Sequence, residues 1–188
     1  MLDVIETPIQ LYPGQPLEVE EFERLSKDGI KYELLEGKLI MTPAGLRHEE
    51  IGVKLLVALQ HYLEQYPIGH LYGSSAGYRM QDDTILSPDV SFVRNEQLPG
   101  GYSPKGYGNF APDLVVEITS PSDRVVDMEG KVQKYLARGT RLVWVVHPDL
   151  RSATVHHPDG SAHQLTEKDA LDGETVLPGF ACRLADIL

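Results

Sequence analysis

The sequence predicts an α/β protein of the α+β kind, with a mixed central sheet flanked by helices. Three observations lead there. Residues 47–66 carry Ile51, Leu55, Leu56, Leu59, Tyr62 and Leu63 at helical spacing, the pattern of an amphipathic helix. Residues 113–119 (DLVVEIT) and 141–146 (RLVWVV) are short apolar runs, and the second has the unbroken character of a strand buried on both faces. A helical pattern over 122–138 lies between them. A helix crossing between two apolar strands implies a parallel or mixed sheet with a right-handed connection.

The elements follow in order. Residues 1–17 read as an extended arm and 18–188 as a single domain, with no internal repeat or low-complexity segment. In "EVEEFERLSK", Val19, Phe22 and Leu25 share one helical face, and Gly29 ends the helix. "YELLEGKLIM" reads as a hairpin turning at Glu36-Gly37. That pairing puts Tyr32, Leu34, Leu39 and Met41 on one face and Glu33, Leu35, Lys38 and Ile40 on the other. Helix and hairpin form an N-terminal addition to the core. Pro67 and Gly69 stop the first long helix, and strands are expected at about 70–80 and 84–93, the latter carrying "LSPDVSFV". A loop rich in Gly, Tyr and Pro covers 99–112. The second helix takes Ser122 as N-cap, Arg138 in its last turn and Gly139 at C′. A β-hairpin (SATVHH to SAHQL) and the segment "ETVLPGFACRLADIL" form the C-terminal addition.

Composition narrows the function classes. A net charge of −11 argues against a broad non-specific nucleic-acid binder, which would be basic. It is compatible with a nuclease whose acidic site is neutralised by metal ions. Cys182 is the only cysteine, so neither an intrachain disulfide nor a thiol-based zinc site is available. No apolar run approaches the ~20 residues of a membrane span, and "MLDVIETPIQ" lacks a basic segment followed by an apolar one. We expect a cytoplasmic protein with no membrane partner.

Glu117 in "APDLVVEITSPSD" is a charge inside an apolar strand. Asp113 shares its face but lies four residues away, roughly 13 Å at ~3.3 Å per residue. One small metal ion with ligands at ~2.1 Å cannot take both directly, so Asp113 reads as a strand-start residue. Asp89 begins the preceding strand. If the two strands are neighbours, Asp89 and Glu117 stand about one strand spacing apart, ~4.8 Å, and can share a hard divalent cation with water and phosphate oxygens. Pro148-Asp149 and Pro158-Asp159 read as turns. Ser120 and Ser122 have no His-Asp framework and read as caps. "GSSAG" and "LPGGY" do not lead into helices as a phosphate-cradling loop must. His61, His70, His147, His156, His157 and His163 show no ligand-like grouping, and Trp144 reads as core.

An Asp at the start of one strand and an acidic residue in the next resembles the PD-(D/E)-x-K nuclease superfamily. Six segments in order resemble more closely the Uma-two family, classed with restriction endonucleases. They are "YELLEGKLIMTPA", "RHEEIGVKLLVAL", "SPDVSFV", "PDLVVEITSPSD", "KVQKYLARGTRLVWVVHPD" and "VLPGFACRLADIL", and they cover the chain from about residue 18 to its end. The resemblance implies a restriction-endonuclease-like core. It departs from the superfamily motif after Glu117, where Ile118 and Thr119 stand in place of x-Lys. In the Uma-type pattern the lysine comes from the following helix, at Lys131. Its alternative is a solvent pair with Asp127 at i, i+4, which is worth only a few tenths of a kcal/mol. The same pattern suggests Glu33 and His48 as auxiliary residues. The alternatives are a surface charge near Lys38 or Lys31 for Glu33, and a helix-start polar residue for His48.

The expected activity is metal-dependent hydrolysis of DNA phosphodiester bonds. Asp89 and Glu117 would hold Mg²⁺ or Mn²⁺, Lys131 would be the third catalytic residue, and Glu33 and His48 would complete the site. A catalytically silent nuclease-fold module binding nucleic acid or protein is the alternative, favoured by the acidic charge and the displaced lysine. Hydrolysis of a non-DNA phosphodiester or nucleotide is a third reading. The tail strands, which could pair between chains, point to a homodimer.

Overall fold

The computed structural model describes residues 11–25, 32–41, 45–81, 83–101, 104–121 and 123–188. Helix α1 (Val19–Leu25) precedes strands β1 (Tyr32–Leu35) and β2 (Lys38–Met41). These pair in the expected register, with Glu33 opposite Ile40 and Leu34 opposite Leu39. Helix α2 (Leu46–Gln65) leads to β3 (Gly69–Gly73), β4 (Tyr78–Gln81), β5 (Thr84–Leu86), β6 (Val90–Arg94) and β7 (Leu114–Ile118). Then come α3 (Val125–Arg138), β8 (Leu142–His147), β9 (Ser152–His156), β10 (Ala162–Thr166), β11 (Ala170–Asp172), β12 (Ala181–Arg183) and α4 (Leu184–Ile187).

The strands form a six-stranded sheet in the order β10-β9-β8-β7-β6-β3, a four-stranded sheet in the order β2-β1-β5-β4, and the small pair β11-β12. In the large sheet β7 and β8 are parallel, joined through α3, and their neighbours are antiparallel. This is the mixed sheet flanked by helices that the sequence predicts. Alternation of side chains divides the large sheet into two faces. Val90, Phe92, Leu114, Val116, Ile118, Leu142, Trp144 and Val146 pack against Ile51, Leu55, Leu59 and Leu63 of α2 and against Leu184 and Ile187 of α4. Burying each such leucine contributes ~1.5–3 kcal/mol. That face, rather than its ends, holds α2, because its N-cap Gly45 offers no side-chain cap. The opposite face (Val93, Val115, Val143 and Val145) packs against Val132 and Tyr135 of α3 and against Tyr78, Met80 and Leu86 of the four-stranded sheet. Helix α1 covers the far side of that smaller sheet through Phe22, Leu34, Leu39 and Ile85.

Three expectations need correction. The strands expected at 70–80 and 84–93 are each broken in two, so five strands rather than three separate α2 from α3. The second break falls at Ser87-Pro88-Asp89, where Pro88 has no N–H for a ladder, and there the chain passes from the small sheet into the large one. Helix α3 starts at Val125 with Arg124 as its N-cap; Ser122 lies outside the described residues. The helical spacing of Val125, Met128, Val132 and Leu136 predicts an apolar stripe along α3, and in the structure that stripe begins one turn later than Val125. Val125 is 85% exposed, while Met128 and Leu136 are half-buried and Val132 and Tyr135 fully buried. Helical spacing defines a face, not how far along the helix its partner extends.

Gly139 closes α3 with φ of 114°, a left-handed position. Pro148-Asp149 and Pro158-Asp159 lie in turns, and Trp144 is fully buried. Of the predicted arm, residues 11–17 run along β2. Gly14 N–H donates to Leu39 O at 2.8 Å and Leu17 N–H to Gly37 O at 2.9 Å. Residues 1–10, Gly29 and Lys31 lie outside the described residues. Among the described residues no helix is long and apolar enough to cross a membrane.

Candidate active site

Strands β6 and β7 are antiparallel neighbours, with Val90 opposite Val116. Asp89 immediately precedes β6 at that end of the pair, and Glu117 lies on the face of β7 that α3 covers. Glu117 is buried among the valines of that face, and Tyr135 O–H donates to its Oε1 at 2.7 Å. Asp89 is also buried; its Oδ2 accepts the Ile118 N–H at 2.8 Å and lies 3.0 Å from His48 Nε2. His48 reaches it from the first turn of α2, as expected of a residue at that helix start.

Glu33 is the second residue of β1 and points to the side of the hairpin away from α1. It is 0% exposed, which replaces the surface-charge alternative. Its Oε1 accepts the Ser87 N–H at 2.8 Å, and its Oε2 accepts from Lys131 Nζ at 2.5 Å. Lys131 also stands 3.8 Å from Glu117 Oε2. The solvent pair with Asp127 is not formed; Asp127 pairs with Arg124 instead. Burial opposes the charge on Lys131, but Glu117, Glu33 and Asp89 outweigh it and hold its pKa above the ordinary lysine value. Burial, reinforced by Glu117, Glu33 and Asp89, holds the Tyr135 phenol well above its ordinary pKa, so it acts as a neutral donor.

All five residues singled out from the sequence therefore meet in one buried polar cluster, delivered by β1, α2, the Ser87–Asp89 link, β7 and α3. Sequence reasoning missed the Tyr135 hydroxyl and the backbone N–H groups of Ser87 and Ile118. Tyr135 is four residues beyond Lys131, so both project to one side of α3; a tyrosine in a buried stripe needs a partner for its hydroxyl, and that was the available signal. The Ser87 and Ile118 backbone N–H groups carried no sequence signal. Asp113 sits apart, as expected, in a different network. It accepts the Arg94 N–H at 2.9 Å and Gln97 Nε2 at 2.7 Å, with the side chains of Arg94 and Arg141 each 4.0 Å away.

Among the described residues no three His, Cys, Asp or Glu side chains are grouped as ligands of one ion. The donor set nevertheless fits a hard cation of the Mg²⁺ type, which takes one or two carboxylates and keeps several waters. Three buried carboxylates face a single ammonium in this cluster, and a divalent cation would offset that excess.

A family model described as "Uma2: Putative restriction endonuclease" matches residues 19–185. Among solved structures the chain is similar to one from Anabaena variabilis ATCC 29413, described as a putative nuclease belonging to DUF820. The two are 19% identical, the match covers 92% of this chain and 97% of that one, and the TM-score is 0.80. At that identity the likeness is one of fold. No curated protein matches the chain.

Proposed function

We propose, from the premise that the chain belongs to the Uma2 (putative restriction endonuclease) family, that it is a cytoplasmic endonuclease hydrolysing DNA phosphodiester bonds with the help of Mg²⁺ or Mn²⁺. The observation that carries this reading is the convergence of Asp89, Glu117, Lys131, Glu33 and His48, from five separate segments, on one buried cluster. Asp89 and Glu117 are the residues that would hold the metal, which when bound supplies Lewis acidity at the phosphodiester. Lys131 offsets phosphate charge and donates a hydrogen bond to the attacking water. Glu33 aims the Lys131 ammonium, Tyr135 fixes the Glu117 carboxylate through Oε1, and His48 orients Asp89. Strand β10 ends one side of the large sheet, and pairing of that edge between two copies is how a homodimer would form.

Purified protein is expected to cut DNA with Mg²⁺ or Mn²⁺ and to lose that activity in Glu117→Ala. Absence of such cutting on plasmid, linear, single-stranded and branched DNA would sink the proposal. A crystal soaked in Mn²⁺ should give an anomalous peak between Asp89 and Glu117.

A second reading, a nuclease-fold module that binds without cutting, is favoured by the engagement of Lys131 with Glu33 and by the net charge of −11. Mn²⁺ titration separates the two: the enzyme reading requires binding that depends on Asp89 and Glu117.

A further inference from the structure

A cavity of about 480 Å³ opens beside Asp89 and His48, walled by α2, β3 and the turn after β3. Its size is that of a site for a small organic group. Val53, Leu56 and Ile118 give it an apolar wall, and Ser74 and Ser75 also line it. Glu49 and Asp89 add carboxylates, and among the residues lining it none is Lys or Arg. A second phosphate would meet those carboxylates with no full cation to offset it. A flat, uncharged group bearing N–H donors would meet apolar surface on its face and acceptors on its edge.

Gly52 points to the same conclusion independently. It is the seventh residue of the 20-residue α2, and glycine inside a helix destabilises it relative to alanine. No neighbour requires the glycine, since a Cβ there would meet only Ile118 Cδ1, at an ordinary 3.7 Å. Gly52 lines the cavity. The helix forgoes stability at a position where a side chain would enter that space.

We propose that the cavity receives an unpaired nucleobase next to the phosphodiester that a metal at Asp89 and Glu117 would hold, so that the protein acts on locally single-stranded nucleic acid. This rests on the nuclease reading above. A base inside a duplex is stacked and out of reach, whereas one in a single strand can enter a pocket and be read at its edge. Stacking of a base also supplies affinity of its own beside the phosphate contacts, and it needs no cation from a cavity whose lining has neither Lys nor Arg.

The test uses a fluorescein-labelled single-stranded DNA and its blunt duplex, with anisotropy read in Ca²⁺ and cleavage read in Mn²⁺. The wild type is expected to bind the single strand roughly tenfold more tightly than the duplex, the scale of one stacked base. Gly52→Leu should remove most of that preference. Gly52→Ala should raise Tm and still weaken single-strand binding, which damage to the fold cannot produce. Equal affinity of the wild type for both DNAs, or unchanged single-strand binding by Gly52→Leu, overturns the base pocket. If the wild type cleaves both DNAs alike and Gly52→Leu matches it, the pocket fails while the nuclease reading stands. Gly52-dependent binding without any cleavage keeps the pocket and overturns the nuclease reading.

Discussion

Glu33→Gln tests how the cluster is held. The amide keeps the shape of the side chain and an oxygen for the Ser87 N–H, now at 2.8 Å, but removes the charge that Lys131 Nζ meets at 2.5 Å. Breaking a buried ion pair by removing one partner costs about 3–5 kcal/mol, and a hydrogen bond to a charged group is worth about 1.5–3 kcal/mol. Glu117 still stands 3.8 Å from the ammonium and the Ser87 N–H keeps an acceptor, so the lower part of these ranges applies, about 2–3 kcal/mol. For a chain of this length that corresponds to a fall in Tm of about 4–12 °C. Urea unfolding at neutral pH should show a lower midpoint with an unchanged slope. In a double-mutant cycle with Lys131→Met, the double variant should regain much of what Glu33→Gln loses, because no ammonium is then left short of its partner. A single variant within ~0.5 kcal/mol of wild type, or a double variant showing the full sum of both losses, would refute the buried pairing.

Three further outcomes are expected. Tyr135→Phe removes the donor at 2.7 Å from Glu117 Oε1; Mn²⁺ affinity measured by calorimetry should change, with a stability cost of about 1.5–3 kcal/mol, and an unaltered metal affinity would deny Tyr135 its positioning role. Asp113→Ala should cost about 1–3 kcal/mol by stranding the Arg94 N–H and Gln97 yet leave DNA cleavage at the wild-type rate; lost cleavage in a folded variant would mean that Asp113 belongs to the site. Burial, and next His156, holds the His147 pKa below 6.5. The unfolded chain therefore binds more protons just below that pH, so stability should fall as pH drops from 6.5 towards the folded value. A His147→Gln variant with the same acid dependence as wild type would contradict this.

The order of residues is enough to show which face of each element is apolar, where the main helices and strands run, and which charges are out of place. Glu117 interrupts an apolar strand whatever surrounds it, and the spacing of residues within one strand already separates Asp113 from it. Strand partners, sheet membership and packing were legible only in the tertiary structure. Residues 84–93 read as one strand because periodicity says nothing about which sheet a run joins; the break at Pro88 appears once the chain is seen to leave β5 for β6. Glu33 and Lys131 are 98 positions apart, and from the sequence each had a plausible partner on its own surface. Contact between them requires the β1–β2 hairpin to pack over α3, and no local pattern encodes that docking. Tyr135 carried no sign of this partner in the sequence, because the carboxylate its hydroxyl meets, Glu117, lies on another element. Local sequence sets the direction in which a side chain leaves its own element, but what waits there is fixed by how distant segments pack, through the burial of faces whose pairing only the folded chain decides.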